Sequence, residues 1–150
     1  MKIAIFRRRG AVRGVYVLVI SVSKSLNVRV CVRKNFFLEA GFYAYVGSAQ
    51  KFLEKRLMRH FRRTGKRQFW HIDHLLAMDC VSVVEAFYKE AEKAEECRTA
   101  QSLSLISFPV VGFGCSDCKC KSHLFRFSNP RQLEDACLKL GFEPFALPCQ

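Results

Sequence analysis

Gly41-Phe42-Tyr43-Ala44-Tyr45-Val46-Gly47 runs straight into Ser48-Ala49-Gln50-Lys51-Phe52-Leu53-Glu54-Lys55-Arg56-Leu57-Met58-Arg59-His60, and the change of period between the two halves decides the reading of the chain. The first half is short, aromatic and bounded by glycine, the pattern of a strand between turns. In the second half Leu53, Leu57 and Phe61 recur at helical spacing, while Lys51, Lys55, Arg56, Arg59, Arg62 and Arg63 fill much of the remaining surface. Ser48 is a residue suited to cap such a helix. The segment predicts a strand feeding an amphipathic basic helix.

Working outward, Ala11 to Val22 is rich in Val, Ile and Tyr, Ser23 to Asn27 has turn composition, and Val28 to Arg33 alternates with period two. These read as a hairpin, which with Gly41 to Gly47 makes three antiparallel strands. Downstream of Gly65, Trp70 to Leu76 suggests a short helix, Val81 to Tyr88 a strand, and Ala91 to Leu103 a helix of high propensity. Ser107 to Ser122 carries Pro109, two glycines and three cysteines and reads as a loop, followed by a short strand from His123 to Ser128. The last helix is signed by Asn129 at the N-cap, Pro130 at N1, Gln132 at N3 and Gly141 at its end. With no internal repeat or low-complexity tract, residues 1–150 form a single α+β domain: a central three-stranded antiparallel sheet flanked by helices, with a further C-terminal strand and helix.

Lys and Arg number 25 against 13 Asp and Glu, a net charge of +12, as expected where a protein meets phosphates. No run approaches the roughly 20 apolar residues of a membrane span, and the opening residues lack the order of a signal peptide, so the expected place is the cytoplasm, without a membrane partner. In that reducing compartment eight cysteines argue against a disulfide framework outside a hyperthermophile, which leaves metal ligation, buried thiols or thermophile disulfides open.

Eight of the 17 residues from Lys51 to Arg67 are Lys or Arg, opposed only by Glu54. A charge run is ordinarily a solvated helix face, but the whole-chain imbalance favours nucleic acid, with Lys51, Lys55, Arg59, Arg62, Arg63, Lys66 and Arg67 as phosphate contacts. Arg56 and His60, four apart, share one helix face. A guanidinium there can grip a phosphate oxygen and the charge of its transition state, and an imidazole can hydrogen-bond the phosphate or carry a proton.

Gly14-Val15-Tyr16 on the first strand, Tyr45-Val46-Gly47 on a later one, then a helix with Arg56 and His60, resemble the ordered motifs of the GIY-YIG nuclease superfamily. The likeness to one archaeal and bacterial branch extends over nearly the whole chain, through Trp70-His71-Ile72-Asp73-His74-Leu75-Leu76, Glu96-Cys97 and Gly112-Phe113-Gly114-Cys115-Ser116-Asp117-Cys118-Lys119-Cys120-Lys121-Ser122-His123. That branch occurs alone or joined to a base-excision glycosylase of the endonuclease III type. The resemblance implies a metal-dependent DNA endonuclease, with a role in DNA repair and an association with such a glycosylase. In it Glu96 holds one Mg²⁺ or Mn²⁺, Tyr16 and Tyr45 help deprotonate the attacking water, and Arg56 and His60 act on the phosphate. A tyrosine works as a base only where a cation lowers its ordinary pKa near 10. Two departures stand out: 28 residues separate Tyr16 from Tyr45, which implies an extra strand between the motifs, and Ser48 follows Gly47 where repair-type members tend to carry lysine. RNA is the other candidate nucleic acid, and the rival functions are a non-catalytic binding module on the same fold and a zinc-stabilised interaction domain.

Cys115-x-x-Cys118-x-Cys120-x-x-His123 offers four ligands within nine residues, enough for a tetrahedral structural zinc. Buried thiols, a disulfide to Cys80, Cys97 or Cys137, and a loop lining the active site with Asp117 and His123 compete with it. For Trp70 to His74, a short helix docked by Trp70 and Ile72 is preferred to metal ligation by His71 and His74, with Asp73 paired to the preceding basic helix and either histidine near phosphate as a secondary role.

Overall fold

Every residue of Gly14–Val22 except Ser21 is buried, so this strand is covered on both faces, the condition under which a strand reads as an unbroken apolar run. A computed structural model describes residues 12–146 and places the strand as one of the two central strands of an antiparallel sheet. The elements are β1 (Gly14–Val22), β2 (Leu26–Cys31), β3 (Lys34–Leu38), β4 (Gly41–Ala49), α1 (Leu53–Phe61), α2 (His71–Leu76), β5 (Val81–Glu90), α3 (Ala94–Ser104), β6 (Phe108–Pro109), β7 (Leu124–Phe127), α4 (Pro130–Lys139) and β8 (Glu143–Pro144). Six strands lie in the order β6-β7-β4-β1-β5-β8, and β2 and β3 form a separate two-stranded sheet. The fold is α+β.

Alternation along β1 sends its side chains into two cores. Tyr16, Leu18, Ile20 and Val22 pack with Leu53 and Leu57 of α1, Ile72, Leu75 and Leu76 of α2, and Val28, Val30, Phe36 and Leu38 of the β2–β3 hairpin. Val15, Val17 and Val19 pack on the opposite face with Ala100 and Leu103 of α3 and Leu133, Ala136 and Cys137 of α4. A slip of one residue would exchange these sets, so the register is strongly specified.

Two expectations change. Val28–Arg33 does not pair with the first strand: β1 is fully occupied by β4, from Gly14↔Ala49 to Val22↔Gly41, and on its other edge by β5. With no free edge on β1, β2 pairs instead with the unanticipated β3, so the insertion between the motifs is a hairpin and not one added strand. Ser48 does not cap α1. It stays in β4, and the helix starts after Phe52, a left-handed residue (φ 54°, ψ 50°) that makes no side-chain cap. The final helix is as the sequence indicates, with Asn129 Oδ1 accepting from the Gln132 amide at 2.9 Å and Gly141 at φ 88°. Ala11, assigned to the first strand, lies outside the described residues. Among those residues no helix is long and apolar enough to cross a membrane.

Asp73 joins α1 to α2. Its carboxylate, 1% exposed, accepts from Arg59 at 2.7 Å and from the Phe69 and Trp70 amides at 3.0 Å each. Burial alone would raise its pKa, but these donors outweigh burial and hold it below the ordinary value. The group is therefore charged at neutral pH, and the stability it contributes is lost as pH falls through that depressed value. Asp73→Ala leaves the Arg59 charge without its carboxylate and the Phe69 and Trp70 amides without their acceptor, and should lower the unfolding free energy by about 3–5 kcal/mol in urea titrations at pH 7. A change under about 0.5 kcal/mol, the range of surface substitutions, would contradict this role.

Candidate active site

Tyr16 faces Gly47 directly across the β1–β4 ladder. A Cβ on Gly47 would collide with the Tyr16 hydroxyl and lie 2.8 Å from its Cε2, so the missing side chain is the space in which the phenol lies. Gly14 is constrained in the same way from the β5 side, where a Cβ would strike the Lys89 carbonyl oxygen and come within 2.9 Å of Leu53 Cδ2. Thus held, the Tyr16 hydroxyl shares a 2.8 Å hydrogen bond with His60 Nε2, and its ring centroid lies 6.5 Å from that of Tyr45.

Both members of this pair are 2% exposed, and burial sets their protonation. It pushes the Tyr16 phenol above its ordinary pKa, although the Arg56 guanidinium pulls the other way, and it raises Tyr45 well above the ordinary value. It drives His60 down to about 3, against the pull of Asp73. At neutral pH the pair is a neutral phenol against a neutral imidazole. The expected depression of the tyrosines by Arg56 is present in direction but smaller than the effect of burial.

Arg56 donates to the Ser48 carbonyl at 3.1 Å and stacks 4.4 Å over the Trp70 ring. From the same Ser48 the hydroxyl donates to Glu96 Oε2 at 2.5 Å. Glu96 belongs to α3, on the opposite face of the sheet, and reaches the end of β4 from there; its Oε1 lies 3.0 Å from His123 Nδ1. Burial opposes its charge, but His123 and Ser48 outweigh burial and keep its pKa below the ordinary value. His123 moves the opposite way, because Glu96 and Cys118 overcome the effect of its burial. Of the three neighbouring acids, Glu92 reaches toward Arg13 at 3.8 Å and Glu95 pairs with Lys89 at 3.3 Å and Arg98 at 3.1 Å. Only Glu96 enters this cluster. Each of its oxygens accepts one bond and keeps another lone pair, so the ionised carboxylate fits a hard divalent cation.

The basic segment divides in two. Lys51, Lys55, Arg62 and Arg67 are exposed. Arg59 is committed to Asp73 and the Arg67 carbonyl, Arg63 to the Val81 carbonyl at 2.6 Å, and Lys66 Nζ is buried without a protein partner, with its pKa lowered by burial. His71 accepts from the Gly114 amide at 2.8 Å and packs on Phe36 and Phe113, which agrees with docking in preference to ligation.

The cysteine cluster differs in membership from the expected set. Ligand atoms of Cys97, Cys118, Cys120 and His123 all lie within 4.8 Å of one another. Cys115 is outside it, its thiol directed to the Lys121 carbonyl at 3.7 Å, and Cys97 arrives from α3. Contiguous spacing in sequence favoured Cys115, but the turn of the loop points it away. This Cys/His group could hold a metal. The described cysteines, including Cys80 and Cys137, are free thiols.

Residues 15–143, from β1 to the first residue of β8, match the family described as Domain of unknown function DUF123. The chain belongs to the DUF123 family. No curated protein and no solved structure matches it. In this DUF123 domain the residues that sequence reasoning missed are Ser48, read as a cap, Trp70, read as a docking residue but 39% exposed beneath two guanidiniums, and Cys97. Only the Ser48 position, directly after a motif glycine, carried a usable signal.

Burial predicts that the His60 ring keeps its neutral chemical shifts from pH 8 down to pH 5 in an NMR titration; a midpoint near 6.5 would overturn the assignment. Because the folded value is lowered, the unfolded chain binds the proton first, so His60 makes the protein less stable as pH falls from about 6.5 toward 3. Gly47→Ala, which forces the Tyr16 ring aside, should destabilise by about 1–3 kcal/mol in chemical denaturation, and an unchanged midpoint would show that the space is not needed.

Proposed function

We propose that this DUF123 domain is a metal-dependent endonuclease that hydrolyses phosphodiester bonds in DNA, built on the GIY-YIG plan. The observation that carries the reading is that Tyr16 meets His60 and Tyr45 on one face of β1 and β4 while Ser48, near the end of β4, ties Arg56 from α1 to Glu96 from α3 on the opposite face. That Tyr16 lies in the space over Gly47, Arg56 rests on Trp70, and Ser48 links Arg56 to Glu96 supports a site more than a packing accident.

Glu96 would hold Mg²⁺ or Mn²⁺, which supplies charge stabilisation at the phosphate and acidifies a bound water. Arg56, already oriented by Ser48 and Trp70, grips a non-bridging oxygen and stabilises the charge that develops in the transition state. The Tyr16 hydroxyl takes a proton from the attacking water while passing its own to His60 Nε2. A phosphate against Arg56 adds the negative charge that favours the protonated imidazole, which burial by itself disfavours. Lys51, Lys55, Arg62 and Arg67 supply backbone contacts that position the duplex without reading sequence. A cytoplasmic repair role beside a base-excision glycosylase follows by analogy with the fused relatives of the branch it resembles.

The test incubates purified protein with plasmid, nicked and branched DNA, and with RNA, in Mg²⁺, Mn²⁺ or chelator. Metal-dependent cutting is expected from the wild type, with losses of about 10²-fold or more in Tyr16→Phe and Arg56→Ala and retained DNA binding. Cutting that survives in Glu96→Ala would remove Glu96 as the ligand. Absence of cutting together with binding that weakens steeply with salt would make the protein a binding module.

A further inference from the structure

We propose that Cys97, Cys118, Cys120 and His123 bind one zinc ion, and that through His123 this ion fixes the orientation of Glu96. The first half stands on the cluster alone; the second links it to the catalytic reading above. Three thiols from two elements, the α3 helix and the loop before β7, meet one imidazole with all ligand atoms within 4.8 Å. Zinc with bonds of about 2.3 Å to sulfur places neighbouring sulfurs about 3.8 Å apart at a tetrahedral angle, so closure needs only shifts of about an ångström or less. The soft thiolates select zinc over the hard cation suited to Glu96.

His123 is set up as a ligand. Its Nδ1 lies 3.2 Å from the Val46 carbonyl oxygen and 3.0 Å from Glu96 Oε1. A carbonyl can only accept, so Nδ1 carries a hydrogen, and in the neutral ring that a metal requires Nε2 presents its lone pair, 3.3 Å from Cys118 Sγ. A metal-bound imidazole whose second nitrogen donates to a carboxylate is the usual outer-shell arrangement of zinc sites. The loop also needs such a tie. Its base is fastened by buried Phe113 and by the His123 and Gly112 amides, which donate to the Phe113 and Lys121 carbonyls at 2.8 Å each, whereas the contacts from Cys115 to Cys118 at its tip are long, with the Cys118 amide 3.4 Å from the Cys115 carbonyl and Lys93 3.8 Å from Asp117. Because Glu96 also accepts from Ser48, which holds Arg56, the ion would secure one end of a hydrogen-bonded chain that finishes beside Tyr16.

Zinc is measured by elemental analysis and by colorimetric release after reconstitution and desalting of the full chain. About one zinc per chain is expected, retained in Cys115→Ser and lost in Cys97→Ser. The cobalt-substituted wild type should show thiolate charge transfer and the intense visible bands of a tetrahedral site, a readout that survives if a cysteine variant fails to fold. Glu96→Gln should keep the stoichiometry but weaken zinc affinity about 10–100-fold; unchanged affinity would remove the link to Glu96. Zinc-free wild type, loss of zinc in Cys115→Ser alone, or a disulfide among Cys97, Cys118 and Cys120 in non-reducing mass spectrometry would overturn the site. None of these readouts depends on DNA cleavage, so failure of the nuclease reading leaves the zinc assignment independently decided.

Discussion

The site depends on one steric constraint: Tyr16 and Gly47 stand opposite each other on adjacent central strands, and the phenol occupies the volume a side chain at 47 would fill. The full-length register between β1 and β4 delivers this pairing, and both apolar faces of β1 enforce the register. With Tyr16 lying flat over the glycine, its hydroxyl is brought to His60 on α1, whose own position follows from Leu53 and Leu57 in the core beneath it. Fold and site share the same contacts.

From that fixed point two electrostatic regimes meet. On the α1 face, burial keeps Tyr16 neutral against the pull of Arg56, and keeps His60 neutral against the pull of Asp73, with Lys66, Arg59 and Arg56 adding to the effect of burial on the imidazole. On the α3 face, Glu96 keeps its charge although half-buried, because two donors are aimed at it. Ser48 joins the two, its carbonyl on Arg56 and its hydroxyl on Glu96. The carbonyl half of this link belongs to the backbone and is open to any residue at 48, whereas the hydroxyl half is the side-chain donor that ties Glu96 to the end of β4.

Element types were largely legible in the sequence because they rest on local signals. The Val, Ile and Tyr content of β1, the amphipathic pattern of Leu53, Leu57 and Phe61, and the Asn129-Pro130-Gln132 cap each lie within one segment, and each element formed. Partners were less legible. Period two in Val28–Arg33 announces a strand without naming its neighbour, and the claim of β5 on the second edge of β1 arises some 60 residues later in the chain, at Val81–Glu90. The cysteine group shows the same limit: a motif read along the chain included Cys115, whereas proximity in space selected Cys97 from another element.

The sequence by itself determined the α+β class, the strong positive charge, the basic face of α1 and which residue types were present for chemistry, since composition and short-range periodicity are properties of the chain before it folds. The tertiary structure decided which basic side chains remain free and which are held by Asp73 or by backbone carbonyls, which of three adjacent glutamates turns inward, and that Tyr16 and His60 are neutral. Those outcomes depend on desolvation and on distances between groups far apart in sequence, and both are fixed only when the sheet and its two helical layers close around β1.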